Sequence, residues 1–221
     1  MQRVGIIGAG RFGSVLAQSL AERGVEVLLL DRSAEAVKRM TNAVSRPVQG
    51  DATNANALTE AGFADCDSVV VAIGGNMEAS ILATIVLKEM KVKHVVARAE
   101  SDIHGKVLER VGADRVIYIN RDMARRLAMH LWAPTVLDYF EIADGVSIVE
   151  MKAPRKFWGK TIAGLNIRPE YGVTIMTIRR KNAEGKVENL VTPTGEDAIE
   201  EEDILVVFGA DANVKKLEQL N

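Results

Sequence analysis

The sequence predicts an α/β protein, in which a Rossmann-like, doubly wound parallel sheet is followed by a second, smaller α+β domain. Three observations predict this fold. An apolar segment leads into the motif Gly8-Ala9-Gly10-Arg11-Phe12-Gly13, and a second apolar segment ends in Asp31. Strand-like and helix-like segments then alternate up to residue 134, as in a parallel sheet. Beyond that point no such glycine motif recurs, which favours a different, compact domain.

The glycine motif predicts a strand-to-helix turn that binds phosphate. Val4-Gly5-Ile6-Ile7 before it is apolar and partly β-branched, which is typical of a buried parallel strand. Gly8 permits the tight turn, Gly10 lets the backbone approach a phosphate, and Gly13 lets the helix pack close to the strand. The open amides at the helix N-terminus then attract an anion.

Asp31 ends the second strand, 18 positions after Gly13. An acidic side chain at about this offset hydrogen-bonds a ribose hydroxyl, so the pattern predicts a dinucleotide- or nucleotide-binding unit. A carboxylate here repels a 2′-phosphate and argues against NADP, although Arg32 weakens that argument.

The remaining elements follow in chain order. Strands are predicted at 4–7, 25–30, 46–49, 68–73, 94–97 and 115–119. Helices are predicted between Gly13 and Gly24, from the cap Ser33 to Met40, and at 56–61, 77–90, 102–111 and 121–132, the last ended by Pro134. The second domain has predicted strands at 146–151, 173–178, 188–191 and 204–208, helices at 160–165 and 213–220, and turns at 169–172 and 182–185. We therefore predict domains at 1–134 and 135–221, with the boundary near residues 135–144.

The candidate site follows from topology, because ligands of such sheets bind outside the carboxyl ends of the strands. The residues predicted to meet there are Gly8 to Gly13, Asp31, Asp51, Gly74 to Asn76, and Arg98 to Glu100. Asp51 and Asn76 have an alternative interpretation as turn residues that bond the local backbone.

Arg11 lies between the second and third glycines, where a guanidinium adds a bidentate phosphate partner. It could reach a γ-phosphate, in its own site or a neighbour's, and so distinguish ATP from ADP. The alternative is a solvated arginine on a helix surface. The same two interpretations apply to Arg98.

Composition excludes several classes of protein. A net charge of −2 over 221 residues gives no general attraction to nucleic acid or anionic membranes. Because the chain enters a predicted strand directly, no signal peptide is expected, and its longest apolar runs, such as 79–87, are too short for a membrane helix. Cys66 is the only cysteine, so a reducing cytoplasm is expected, and its acidic neighbours disfavour a reactive thiolate.

Taken together, these motifs resemble the RCK (regulator of potassium conductance) proteins, and more closely the cytoplasmic regulatory subunits of bacterial Ktr/Trk-type potassium uptake systems. The resemblance rests on the glycine motif, Ala72-Ile73-Gly74-Gly75-Asn76, Arg98-Ala99-Glu100, Lys106-Val107-Leu108-Glu109, Gly112-Ala113-Asp114-Arg115, Asp122-Met123, Leu165-Asn166-Ile167-Arg168, Tyr171-Gly172 and Glu202-Asp203-Ile204-Leu205. The order of the two domains, TrkA-N then TrkA-C, is also that of the family.

The resemblance implies a ring of RCK domains that binds ATP or ADP and gates a separate potassium-translocating membrane subunit at the inner face of the membrane. In the family ATP favours the conducting state and ADP the inactive one, and the Trk branch binds NAD(H). The nucleotide-binding residues carried over are Gly8, Gly10, Arg11, Phe12, Gly13, Asp31, Arg32, Ser33, Asp51, Ala52, Thr53, Ile73, Gly74, Gly75, Asn76, Arg98, Ala99, Glu100 and His104.

Two further features follow from the resemblance. Relatives of the Ktr type often have a cation-binding glutamate two positions before Asp122-Met123, where this chain has Asn120, so no metal ligand is predicted. The second domain is implied to dimerise and, as in some relatives, to bind cyclic di-AMP through the stretch with Ile162, Ile167 and Arg168. A surface role for Arg168 is the alternative.

Two other functions remain as alternatives. A small NAD-dependent oxidoreductase would need a general acid, and none of His94, His104 and His130 lies in a recognisable catalytic pair. A DNA-binding repressor would need a basic recognition helix, which the sequence does not supply.

The last predicted helix of the first domain suggests assembly. Met123, Leu127, Leu131 and Trp132 form an apolar stripe, and Ala128, Met129 and Ala133 broaden it beyond one face. Packing against the sheet explains part of this stripe, but a helix that is apolar on two sides needs a second partner. We predict a homodimer and, by resemblance, an octameric ring.

Overall fold

The computed structural model describes residues 2–132, 136–182 and 184–220. Contacts divide the chain into two compact units, of which one ends at Arg121 and the other begins at Asp122. The predicted boundary at 134/135 and the predicted helix stop at Pro134 lie outside the described residues and stay predictions. Among the residues described, every helix is too short or too polar to span a bilayer.

The first unit contains a six-stranded parallel sheet in the order β3-β2-β1-β4-β5-β6. Its strands are β1 Arg3–Ile7, β2 Glu26–Asp31, β3 Arg46–Gln49, β4 Ser68–Val71, β5 Val95–Arg98 and β6 Arg115–Ile117. Its helices are α1 Arg11–Ala21, α2 Ala34–Arg39, α3 Ala55–Ala61, α4 Met77–Glu89 and α5 Asp102–Arg110, with a 3₁₀ turn at Phe63–Asp65. The predicted doubly wound sheet is confirmed, and its strand order reverses between β1 and β4.

The central strands β1, β2 and β4 are buried on both faces, which explains why they read as nearly unbroken apolar runs. Leu28 and Leu30 of β2 pack into one core, whereas Val27 and Leu29 pack into the other. Cys66 belongs to the first of these cores. Burial raises the pKa of its thiol to about 11, so the predicted absence of a reactive thiolate agrees with its environment.

The second unit contains a five-stranded antiparallel sheet in the order β11-β10-β13-β8-β7. Its strands are β7 Val136–Ala143, β8 Val146–Lys152, β10 Val173–Lys181, β11 Val187–Val191 and β13 Ile204–Ala210, and a separate pair joins β9 Lys160–Thr161 to β12 Ala198–Ile199. The helices are α6 Ile119–Trp132, which begins in the first unit, α7 Ile162–Leu165, α8 Ile167–Tyr171 and α9 Asp211–Glu218, with a 3₁₀ turn at Arg155–Phe157.

Two predicted elements of this region are wrong in detail, and one hairpin was not predicted. The stretch proposed as a boundary contains β7, which forms a hairpin with β8 through Asp144-Gly145. Asp-Gly between two apolar runs is a strong hairpin signal that the sequence analysis missed. The helix predicted from residue 160 begins only at Ile162, after β9, and the turn predicted at 169–172 belongs to α8, which ends at a left-handed Gly172.

The apolar stripe of α6 is exposed in the single chain. Met123, Leu127 and Leu131 are 58%, 57% and 76% exposed, so packing against the sheet does not account for them. The side chains of Met129 and Trp132, and residue Ala133, lie outside the described part of the structure.

Candidate functional site

The turn between β1 and α1 has the conformation that the glycine motif requires. Gly8 has a φ of +104°, which residues with a side chain rarely adopt. A Cβ atom on Gly13 would lie 1.8 Å from the carbonyl oxygen of Gly8, so only glycine allows α1 to pack this closely. Gly10 is the N-cap of α1 and provides no side-chain cap, so the first-turn amides are available to an anion.

Asp31 links the glycine turn to the end of β2. Its Oδ2 accepts a hydrogen bond from the Ala9 amide at 2.6 Å, and its Oδ1 accepts one from the Ser33 amide at 2.8 Å. Each carboxylate oxygen has a second lone pair, so a ribose hydroxyl can still donate to it. The carboxylate therefore orders the turn as well as offering an acceptor to a ligand.

Asp51 performs a similar role at the end of β3. Its Oδ1 accepts from the amide of Thr53 at 2.9 Å and from the Thr53 hydroxyl at 2.8 Å, and its Oδ2 accepts from Arg32 Nη2 at 2.9 Å. The bonds from Thr53, and then Arg32, hold the pKa of Asp51 below its usual value. Asp51 thus makes the local bonds of the alternative interpretation and also connects the ends of β2 and β3.

At the other end of the site, the loop after β4 meets the loop after β5. Glu100 Oε1 accepts a hydrogen bond from the Gly75 amide at 2.6 Å. A Cβ atom on Gly74 would lie 2.8 Å from Arg98 Nη1 and 3.4 Å from Glu100 Oε1, so both side chains stand beside Gly74. Asn76 accepts from the third amide of α4 at 2.9 Å, which is the local bond that its alternative interpretation predicted.

His104 lies under this loop. It is 2% exposed, and its Nδ1 accepts a hydrogen bond from the Glu100 amide at 3.3 Å. Burial lowers the pKa of His104, which favours the neutral ring that can accept this bond. Its Nε2 is buried with no hydrogen-bond partner among the described residues. His104 therefore positions Glu100 rather than lining the site.

These loops enclose a cleft of about 990 Å³ at the carboxyl ends of the strands. The predicted residues that line it are Gly8, Gly10, Arg11, Phe12, Asp31, Arg32, Asp51, Ala52, Thr53, Ile73, Gly74, Gly75, Asn76, Arg98 and Glu100. The cleft is also lined by residues that were not predicted as site residues: Ile7, Val15, Leu30, Gly50, Ala72, Ala79, Ile119 and Asn120. Several of these directly precede a motif residue, and Val15 lies one helical turn after Arg11, so neighbouring positions were the available signal.

Four predicted residues do not line the cleft, and each has a structural role. Gly13 packs against Gly8, and Ser33 caps α2 by accepting from the Ala36 amide at 3.2 Å. Ala99 is 6% exposed and belongs to the core, and His104 is buried under Glu100.

The arginines of the cleft differ in their partners. Arg32 is paired with Asp51. Within the described ranges, the guanidinium groups of Arg11 and Arg98 make no hydrogen bond or ion pair. Two cations that find no acceptor in the described part of the chain, together with the open amides of α1, suit an anionic ligand.

The described residues include no group of three or more His, Cys, Asp or Glu side chains placed to hold a metal ion. Asn120 lines the cleft with a neutral amide, a weaker ligand for a hard cation than a carboxylate.

In the second unit, the three residues carried over for cyclic di-AMP are placed differently from one another. Ile167 is 4% exposed and lies in the core, and Ile162 packs against that core. Only Arg168 is exposed, so it alone could face a ligand without rearrangement.

A Rossmann sheet with a cleft at its switch point, followed by a small antiparallel α+β unit, defines a class of two-domain Rossmann proteins. Within that class, the TrkA-N domain family matches residues 4–119 and the TrkA-C domain family matches residues 146–221. The chain belongs to this TrkA-N/TrkA-C family of RCK-domain proteins from potassium uptake systems.

Curated relatives match over nearly the whole length. The chain is 39% identical over 214 residues to the Ktr system potassium uptake protein C of Bacillus subtilis (strain 168), covering 97% of this chain and 95% of that protein. It is 38% identical over 213 residues to the Ktr system potassium uptake protein A of the same organism, covering 96% and 94%.

Solved structures give the same fold. The RCK domain of GsuK is 25% identical with a TM-score of 0.54, and the match covers 99% of this chain but only 46% of that one. A GsuK channel bound to NAD matches with the same identity and TM-score over 100% of this chain and 38% of that one. GsuK bound to ADP is 27% identical with a TM-score of 0.51, over 59% of this chain and 34% of that one.

Proposed function

We propose that this chain is a cytoplasmic regulatory subunit that binds ATP or ADP in the Rossmann cleft and gates a potassium-translocating membrane subunit. A role in potassium uptake is supported by two relatives that are named as Ktr system potassium uptake proteins. The chain matches both of them along nearly their full lengths. In this proposal the chain is a sensor and not an enzyme, and the nucleotide acts by favouring one conformation of the assembly over another.

One observation supports ATP/ADP switching above all: the guanidinium of Arg11, at the N-terminus of α1, has no hydrogen-bonded or ion-paired partner among the described residues. Phosphates bound by the amides of the glycine turn would lie beside this side chain. A third phosphate would give Arg11 an additional charged partner, whereas ADP would not. Differential binding of this kind is the source of an allosteric free energy.

The experiment is a calorimetric titration with ATP, ADP and NADH of the wild type, Arg11→Ala and the control Arg23→Ala. Arg23 follows α1 at its far end, where its Nη1 donates to the Ser19 carbonyl oxygen. We expect Arg11→Ala to weaken ATP binding by roughly tenfold more than ADP binding, the size of one charge-assisted contact. An ATP/ADP affinity ratio equal to that of the wild type would show that Arg11 does not read the third phosphate.

NAD(H) is the second candidate ligand, because a GsuK channel bound to NAD shares this fold at 25% identity. A clear preference for NADH in the same titration would make the chain a dinucleotide sensor.

The alternative function, a small NAD-dependent oxidoreductase, is less well supported. It needs a general acid in the cleft, whereas His104 is buried under Glu100 and does not line the cleft.

The exposed stripe of Met123, Leu127 and Leu131 supports self-association, since a second copy would remove three large apolar side chains from water. We propose a homodimer that assembles further into an octameric ring. Light scattering should give a mass above that of one chain, and Leu127→Glu should lower it. A monomeric wild type would contradict this assembly.

The membrane partner can be tested by potassium uptake. Cells that lack their own uptake systems and express a Ktr-type membrane subunit should take up potassium faster with the wild type than with Arg11→Ala.

Cyclic di-AMP is proposed as a ligand of the second unit through Arg168, and Arg168→Ala should then reduce its binding in a titration.

A further inference from the structure

A carboxylate occupies one end of a cleft whose other features suit an anion. Glu100 lines the cleft between the loops that follow β4 and β5. Its Oε1 accepts a 2.6 Å hydrogen bond from the Gly75 amide and stands beside Arg98 next to Gly74. The Glu100 carboxylate therefore already occupies the Gly75 amide, a hydrogen-bond donor that a ligand phosphate could otherwise use.

The strand order shows which part of a nucleotide would reach Glu100. The sheet runs β3-β2-β1-β4-β5, so the glycine turn after β1 lies between the Asp31 end and the Glu100 end. A nucleoside over the ends of β2 and β3, with its first phosphates on the glycine turn, extends its remaining phosphates toward β4 and β5. AMP would stop short of Glu100, whereas ATP would approach it.

The Gly75 amide has one hydrogen to donate, so a carboxylate oxygen and a phosphate oxygen compete for it. Two anions beside each other also repel. Both effects grow with the number of phosphates that reach this end of the cleft.

We propose that Glu100 is an internal anion that competes with the terminal phosphate of the ligand for the Gly75 amide, beside Arg98. It is then the specificity-determining residue that limits how strongly the cleft prefers ATP to shorter nucleotides. The inference rests on the proposed nucleotide site and assigns a regulatory role to a residue within it.

The surroundings of Glu100 allow this exchange. Its amide donates to the buried His104 Nδ1, so the backbone is held in place, whereas the side chain is exposed. The carboxylate can therefore turn into solvent when a phosphate takes the Gly75 amide, and the loop does not need to move. This separates Glu100 from His104, which positions the loop.

The test is a titration of the full chain with AMP, ADP and ATP, comparing the wild type with Glu100→Gln. Glutamine keeps an acceptor for the Gly75 amide and removes the charge. The matched control is Glu109→Gln, an exposed residue at the far end of α5. We expect Glu100→Gln to tighten ATP binding by roughly fivefold at low salt, ADP binding by less and AMP binding not at all, with the effect shrinking as salt rises.

An equal change for all three nucleotides, or no change for ATP, would overturn the role of Glu100 and leave the nucleotide site intact. A wild type that binds none of the three would overturn the proposed function and this inference with it.

Amide exchange gives a second, independent measurement. In the protein without nucleotide, Glu100→Ala should speed hydrogen exchange at the Gly75 amide several-fold, and ATP should slow it again. Unchanged exchange in Glu100→Ala would show that the carboxylate does not hold this amide in solution, and would overturn the proposal.

Discussion

Two arginines of the first unit and two of the second have opposite surroundings. In the first unit, Arg11 and Arg98 face the cleft, and within the described ranges they have no hydrogen-bonded or ion-paired partner. In the second unit, Arg179 pairs with Glu150 across the sheet. Its neighbour Arg180 forms two hydrogen bonds, at 2.8 and 2.7 Å, with the carboxylate of Asp203.

This difference follows from where these arginines lie in the two units. A parallel sheet brings the carboxyl ends of its strands to one edge, where the loops leave amides and cations open to a ligand. In the second unit β13 lies between β10 and β8, so Arg179 on β10 reaches across β13 to Glu150 on β8, and Arg180 meets Asp203 in the turn that precedes β13. Two arginines of the first unit are thus open to the proposed ligand, whereas Arg179 and Arg180 hold parts of the second unit together.

The largest expected effect is a loss of stability in the second unit. Asp203 is fully buried and also accepts from the Glu200 amide at 2.7 Å. Arg180→Ala would leave this carboxylate without its cation, so we expect the free energy of unfolding to fall by roughly 3 kcal/mol. Denaturant unfolding measures this loss, and nucleotide affinity should stay unchanged in the folded variant.

The matched control is Arg179→Ala, whose partner Glu150 is partly exposed. Partly solvated ion pairs contribute less than about 1 kcal/mol, so this variant should be much the milder of the two. If both variants lost a similar free energy of unfolding, burial would not distinguish the Arg180–Asp203 pair from the Arg179–Glu150 pair.

A smaller effect should separate packing from binding in the first unit. Gly13→Ala places a Cβ atom 1.8 Å from the Gly8 carbonyl oxygen, and forcing α1 outward should cost roughly 2 kcal/mol of stability. A Cβ atom at Gly10 meets nothing within 4 Å, so Gly10→Ala should fold normally. Because Gly10 lines the cleft at the N-terminus of α1, where we propose that phosphate binds, the added methyl group should nevertheless weaken ATP binding.

Thermal unfolding and ATP titration of both variants provide the check. If Gly10→Ala bound ATP as tightly as the wild type, the phosphate would not lie on this turn.

The smallest effect concerns pH. Burial lowers the pKa of His104, so the unfolded chain binds a proton that the folded chain does not. Stability from this group is complete above the unfolded pKa of about 6.5 and decreases as pH falls below that value toward the folded pKa. His104→Gln should remove this part of the pH dependence.

Unfolding measured at pH values from 8 to 5 tests the prediction. Asp51, Asp114 and Asp197 also have lowered pKa values, but these carboxyl groups change the stability only below about pH 4, outside this window. A wild type and a His104→Gln variant with the same pH dependence would contradict the assigned environment of His104.

Much of the first unit could be predicted because its signals are local. The strand at 46–49 has the predicted bounds, and Ser33 caps α2 as expected. The second unit was harder, because β7 shows no clear alternation of buried and exposed residues and because β9, β12 and α7 are only two to four residues long. The hairpin of β7 and β8 was missed although Asp144-Gly145 marked its turn.

The candidate site, too, was predicted in part from local signals and in part not. Motif and topology predicted most of the lining, including Arg11, Asp31 and Asp51. They could not distinguish a lining residue from one directly behind it, as with Ala99 and His104. Sequence position fixes which loop a residue belongs to, but the direction of its side chain depends on packing.

The sequence by itself determined the Rossmann fold and the family, because apolar periodicity and the glycine motif are read along the chain. Only the tertiary structure decided the partners of the charged groups. Asp31 with Ala9, Glu100 with Gly75, and Arg180 with Asp203 are pairs 22, 25 and 23 residues apart. Such contacts arise when separate strands meet, and no local pattern specifies which polar groups they will bring together.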